Sequence, residues 1–426
     1  MRHDPDVLVV GGGAVGLFCA YHLRRCGGSV AVLERGPVGG PQSCSYGNTG
    51  FVGTHGAAGL AEPGLLAQAL RGLANPAAPV AIRPRLRGEP LRWLWHLRRA
   101  CYDAEAQASL RLLVDLKQRS LQMLRELCAQ PGLAATLTEP GMVLAYKDPR
   151  GFDQARSAVP QAVARGVPLR TLSAAELRVL EPDTEFDVCG ALYNEEGAFL
   201  RVPDFVLGLA RTLQDEGVEI HPQTEVTGFG VTGGHVGQVR TTNGDFRPGT
   251  VVIAAGAWSP ECTRSLDLRL TLQPVKGYSI TVKTPDNAPR RPVLLAEGRV
   301  AISPSGDRLR FAGILEMSGT NQAVSTRRAD GLRRIVRAYL PRLARTETVE
   351  TWTGLRPCTP DSLPFLGRAE PYRNLFVAAG HGQMGMGLAP AGGKLIAQAI
   401  AGQQPDLDLR PFRVGRFGER AAGHAS

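Results

Sequence analysis

Gly11, Gly13 and Gly16 stand in the spacing G-x-G-x-x-G, directly after the apolar run 7–10. Directly behind them Leu17, Ala20, Tyr21 and Leu23 recur with helical period over 14–25. A strand, a glycine turn and a helix in that order form a site for phosphates. Gly11 lets the chain turn off the strand, Gly13 lets the backbone approach a pyrophosphate, and Gly16 lets helix and strand pack closely. Ala14 and Val15 open the helix at its positive end, where the phosphates are expected. Glu34 follows at the tip of a second strand, 29–33, and can accept both hydroxyls of an adenosine ribose. An acid there favours FAD or NAD over NADP, with Arg35 adjacent. Near the other end of the chain, glycines at 380, 382, 385 and 387 lead into a helical segment, 389–401. Their backbone N–H groups and a helix dipole beginning near 385–388 suit the negative charge of a reduced flavin.

The elements that must carry these groups fall into two kinds. Buried apolar strands of the nucleotide type occur at the start, at 250–255 and at 374–379. Between them lie alternating segments, 276–283, 299–303 and 308–315, of the antiparallel type. Short strands are expected at 218–220 and 225–229, and a meander over 234–241 and 245–247, turning at Asn243-Gly244. Helices are expected over 202–216, with Pro203 in the first turn, and over 327–339. Residues 61–130 read as helical, broken by prolines at 76, 79, 84 and 90. The pattern predicts two interleaved domains: 1–60, 195–262 and 350–426 for the nucleotide, 61–194 and 263–349 for the substrate.

Of 426 residues, 43% are hydrophobic and 21% charged, which excludes a disordered chain. No apolar run approaches the length of a transmembrane helix, and the N-terminus has no secretory pattern. The eight cysteines form no C-x-x-C pair and no zinc-spaced cluster, so no metal is expected; they read as buried thiols of a reducing, cytoplasmic compartment. The net charge of +10 comes almost wholly from arginine, since only five of the 49 basic residues are lysine. It reads as a solvated basic surface; the charge would suit a nucleic acid, but the lack of an aromatic–basic recognition motif argues against such a partner.

Four further stretches carry a resemblance. They are Ser43-Cys44-Ser45-Tyr46-Gly47-Asn48-Thr49-Gly50, TVVIAAGAWS at 250–259, Trp352-Thr353-Gly354-Leu355-Arg356-Pro357 with Thr359-Pro360-Asp361, and AAGHGQMGMGLAP at 378–390. Together, in this order, they resemble the D-amino-acid-oxidase/glycine-oxidase superfamily of FAD-dependent enzymes. Pro274-Val275-Lys276-Gly277-Tyr278-Ser279 and the basic, Trp-containing stretch 91–99 are most similar to its bacterial D-amino acid dehydrogenases.

The resemblance implies an α/β fold, a Rossmann-like FAD domain interleaved with an α+β substrate domain built on an antiparallel sheet. It implies that Ser43, Ser45, Gly47, Asn48 and Thr49 wrap the FAD pyrophosphate and ribityl chain. Val226, Ala255 and Gly256 are expected to pass the cofactor. Gly380, His381, Gly382, Gln383, Met384, Gly385 and Met386 are expected beside the isoalloxazine. Arg356 is implied as the carboxylate anchor, a role its fork of donors suits. Tyr278 is expected to help through its hydroxyl, and Gln383 to stand where glycine oxidases carry a second Arg. Ala301 occupies the place of a Tyr in those enzymes, which argues against glycine or sarcosine as substrate. Cys358 follows Arg356 by two, as does the flavin-linked Cys of monomeric sarcosine oxidases.

The implied reaction is oxidation of a D-amino acid, or a D-proline-like secondary amine, to an imine by hydride transfer from Cα to flavin N5. The electrons then pass to a quinone, a dye or oxygen. The alternatives carried forward are a glycine- or sarcosine-oxidase-like enzyme using oxygen and an RNA-associated member of the same fold. The Arg and Trp residues of 86–99 also suit peripheral contact with the inner face of a plasma membrane.

Overall fold

A computed structural model describes residues 4–53, 60–61, 78–82, 88–102, 105–343 and 346–418. Residues 62–77, counted above as helical, and Leu86 and Arg87 lie outside the described residues.

Val7–Val10 sits inside a six-stranded sheet in the order Phe365–Arg368, Leu375–Ala379, Thr250–Ile253, Val7–Val10, Val30–Leu33, Glu219–His221. Every neighbouring pair is parallel except the first. The inner strands are buried on both faces, which is why their sequences are continuously apolar instead of alternating. Helices Ala14–Arg25 and Gly385–Ile400 pack together beside this sheet. Gly393 allows their close approach, since a Cβ there would lie 2.6 Å from the Phe18 backbone. The meander Val226–Thr232, His235–Thr241, Gly244–Phe246 contributes Phe229, Val236, Val239 and Phe246 to a second core on this sheet.

The second layer is a nine-stranded, mostly antiparallel sheet. Its edge strand Thr348–Cys358 pairs with Gln273–Lys283, which pairs in turn with Arg308–Met317. Helix Thr326–Tyr339 covers this sheet with Ala329, Leu332 and Val336.

Several elements differ from the sequence expectation; Val80–Ile82, inside the stretch 61–130 expected to be helical, is a strand, because it pairs with Arg308–Met317. The last helix begins at Gly385, not 389; glycine is a poor helix former, and here packing against helix Glu105–Cys128 overrides that. Strand Thr348–Cys358 carries Gly354 and Pro357, which an edge strand tolerates, and the expected boundary at 350 falls inside it. Helix Glu105–Cys128, grouped above with the substrate region, places Leu113, Leu116 and Leu124 in the same core as Val9 and Leu17.

Candidate active site

A cavity of about 660 Å³ opens at the carboxyl ends of the parallel strands, where Val10, Leu33 and Ala254 line it. Gly11 leaves its strand with φ of 115°, and Gly13 caps the helix without any side-chain bond. Gly11, Gly13, Ala14 and Val15 all form wall. Gly16 does not; a Cβ there would lie 1.8 Å from the Gly11 carbonyl oxygen, so it serves helix–strand packing. Glu34 is on the wall with its carboxylate fixed, accepting from Gly12 N at 2.7 Å and Gly36 N at 3.2 Å. Arg35 stacks over the Trp258 ring at 3.7 Å, and both line the cavity.

The loop after the second strand closes one side. Ser43, Ser45 and Asn48 are on the wall, and Ala14 N donates to Ser45 Oγ at 3.4 Å. Gly47 and Thr49 are not on the wall. Gly47 instead receives the Trp352 indole, whose Cε3 would lie 2.0 Å from a Cβ at this position. Trp352 Nε1 donates to the Pro41 carbonyl at 2.7 Å, and Tyr46 Oη donates to Glu350 at 2.9 Å. Arg310 Nη1 donates to the Tyr46 carbonyl at 2.6 Å. The nine-stranded sheet thus holds the loop that closes the nucleotide cavity.

Val226, Ala255, Gly256, His381, Gly382, Gly385 and Met386 also line the wall. Gly380, Gln383 and Met384 line instead a small adjoining pocket with Arg356, Cys358, Thr359 and Ser362. Gly382 belongs to both. Gly382 N donates to the Pro357 carbonyl at 2.8 Å, and Cys358 bridges His381, so the Arg356 strand is tied to the last glycine turn.

Arg356 is half-buried, and its Nη1 has no partner among the described residues. Burial pushes its pKa below the usual range, with the nearby Cys44 and Cys358 thiols opposing that shift. His381 is buried, both ring nitrogens are unpartnered among the described residues, and burial lowers its pKa to about 4. It is therefore neutral near pH 7. The Cys358 thiol is buried on the small pocket, and burial raises its pKa to about 12.

Tyr278 is a correction. Its hydroxyl donates to Glu316 Oε2 at 2.7 Å inside the core of the nine-stranded sheet, and Lys276 Nζ lies 3.4 Å from the same oxygen. Tyr278 lines neither pocket, because strand alternation turns 276 and 278 to the face opposite Gly277. Sequence reasoning missed the Arg35–Trp258 stack and the Trp352 contacts; both tryptophans lay inside quoted motifs but had no assigned role.

The groups present fit FAD: a helix N-terminus capped by a glycine for the pyrophosphate, a fixed carboxylate for a ribose, and a glycine turn with φ of 87° at Gly380 and 57° at Gly382. Among the described residues no group of three or more His, Cys, Asp and Glu could hold a metal, and no helix is long and apolar enough to cross a membrane.

Comparison with known proteins gives the same picture. The family model described as FAD dependent oxidoreductase matches residues 6–399. The chain is similar to a D-amino-acid oxidase of Bradyrhizobium diazoefficiens, 30% identical over 98% of this chain and 100% of the other. It is similar to a D-amino acid dehydrogenase of Cereibacter sphaeroides, 32% identical over 96% of this chain and 95% of the other. Among solved structures, glycine oxidase from Geobacillus kaustophilus superposes with a TM-score of 0.77 at 26% identity, covering 97% of this chain and 99% of that one.

Proposed function

The chain belongs to the FAD dependent oxidoreductase family, and from that premise we propose that it oxidises a D-amino acid, or a D-proline-like secondary amine, to the imine. Relatives named D-amino-acid oxidase and D-amino acid dehydrogenase, each aligned over nearly its full length, support this reading. The observation that carries it is Arg356: a half-buried guanidinium with an unpartnered Nη1, in a pocket that meets the nucleotide cavity at Gly382.

FAD, when bound, supplies the two-electron acceptor. Arg356 holds the substrate carboxylate and so fixes the carbon to be oxidised. Gln383 adds a neutral amide to the same pocket, so among the described residues Arg356 is the one cation lining it. His381, buried and neutral, packs its ring 3.3 Å from a Cβ built on Gly392 and serves as structure, not as base. The amine enters neutral, and its proton leaves to solvent after the Cα–H bond breaks. The imine then hydrolyses to a 2-oxo acid, or persists where it is cyclic.

Anaerobic flavin bleaching with a panel of D- and L-amino acids tests this. Bleaching by D-amino acids in the wild type, with the substrate requirement raised at least tenfold in Arg356→Ala, is expected. Bleaching by L-amino acids alone would overturn the stereochemistry, and unchanged kinetics in Arg356→Ala would overturn the anchor. Peroxide release with glycine would favour the oxygen-using alternative.

For the electron acceptor, helix Gly88–Tyr102 exposes Leu91, Trp95 and Tyr102 in one stripe, with Arg98 and Arg99 also exposed. This supports peripheral contact with an anionic bilayer, a route to a quinone. Flotation with anionic but not neutral vesicles is the expected outcome.

A further inference from the structure

In the paired strands Gln273–Lys283 and Thr348–Cys358, Gly277 stands directly opposite Gly354. One face of this pair carries Trp352, Gly354 and Arg356 from one strand and Gly277 from the other. The two glycines leave a bare patch. Arg356 lies across it: a Cβ at Gly277 would be 1.5 Å from Nη1, 2.1 Å from Cζ and 2.4 Å from Nη2. Trp352 covers the neighbouring side, with Cη2 2.0 Å from a Cβ at Gly354. The indole is held by Pro41 and Gly47, so it fixes the edge of the space left to the guanidinium.

We propose that Gly277 is a positioning residue for substrate binding: its missing side chain lets the Arg356 guanidinium lie flat against the sheet at the pocket shared with Gln383. The proposal rests on Arg356 being the carboxylate anchor. Gly277 does not have a left-handed backbone, so alanine fits the strand itself. What an added methyl meets is the end of a flexible side chain, so the displaced group is the guanidinium and not the fold. Nothing in the pattern P-x-K-G-Y-S reveals this, because the partner glycine lies 77 residues away.

The test compares FAD-loaded wild type, Gly277→Ala, Arg356→Ala and the double variant. Flavin content, melting temperature, kcat and KM for the best D-amino acid, and flavin absorbance on titration with propionate are measured. Gly277→Ala is expected to keep its flavin and melting temperature while KM and the propionate dissociation constant rise about 10- to 100-fold, the scale of a lost charge-assisted hydrogen-bond pair. In the Arg356→Ala background the same change is expected to add less than twofold, because the group it displaces is gone. Wild-type binding of propionate by Gly277→Ala, with weakened binding by Arg356→Ala, would overturn the proposal and leave the anchor intact. Wild-type binding by Arg356→Ala would overturn the anchor itself. If Gly277→Ala fails to fold, the double variant decides: a double variant as unstable as the single would make Gly277 structural only, whereas restored stability shows that Arg356 was the obstruction.

Discussion

The two sides of the site are built by different means. On the nucleotide side much of the wall is backbone from stretches such as 11–15 that run continuously in the chain, with the fixed carboxylate of Glu34 beside it. On the proposed substrate side the group put forward is one side chain, Arg356, and its setting depends on which residues of two distant strands lie opposite each other. Backbone sites tolerate side-chain change but not added bulk at their glycines. Side-chain sites have the reverse sensitivity, plus a dependence on register. The two meet at Gly382, Pro357 and the Trp352 contact with the loop, so each half can be disturbed separately.

The largest effect is expected at Gly16. A methyl there would press on the Gly11 carbonyl at 1.8 Å, and both atoms belong to backbone that cannot swing away. Gly16→Ala is expected to purify without flavin and to lose about 2 kcal/mol or more in urea denaturation, as overpacking does. Retention of flavin at wild-type stability would mean that the cavity does not depend on this contact.

Next comes Arg356→Ala, which spares the nucleotide side. It is expected to keep its flavin while kcat/KM falls about 100-fold or more, since a bidentate charged pair and the orientation it gives are both lost. Arg356→Lys is expected to recover only part, because an ammonium lacks the planar fork. Loss of flavin from Arg356→Ala would break the separation of the two halves.

That separation also explains what the sequence reveals. The phosphate turn, Glu34 and the final glycine turn are local in the chain, so spacing alone finds them. Arg356 is visible through its motif, but Gly277, Gly354 and Trp352 acquire meaning only through strand register and side-chain direction. Gly47 shows the limit in the other direction. It sits in a loop of the right composition for a cofactor, yet its place is set by an indole from a strand some 300 residues on. Strand Thr348–Cys358 was hidden for the same reason, since its pairing partner, not its own composition, makes it a strand.

His381 stands at the junction and sharpens the comparison through pH. Burial holds it neutral, with a folded pKa of about 4 against about 6.5 unfolded. The unfolded chain therefore binds the extra proton first as pH falls. Stability is complete above pH 6.5 and is lost between 6.5 and 4, by about 3 kcal/mol from this residue. His22, lowered to about 4 mainly by burial, adds in the same direction. Urea midpoints from pH 7.5 to 4.5 are expected to fall less steeply in His381→Asn, with kcat at pH 8 within a few-fold of wild type. A kcat loss of a thousandfold would instead make His381 a catalytic base.

The smallest effect separates the two faces of one strand. Gly277 and Tyr278 are adjacent, yet one lies beneath Arg356 and the other donates its hydroxyl to Glu316 in the core. Tyr278→Phe removes one donor from a fully buried carboxylate while Lys276 remains 3.4 Å from it. A stability loss of about 1–2 kcal/mol is expected in denaturant titration, with KM and kcat within twofold of wild type. The opposite result, unchanged stability with a tenfold higher KM, would put the hydroxyl on the substrate. Both faces of the strand would then do chemistry, and the contrast between an anchor face and a core face would be lost.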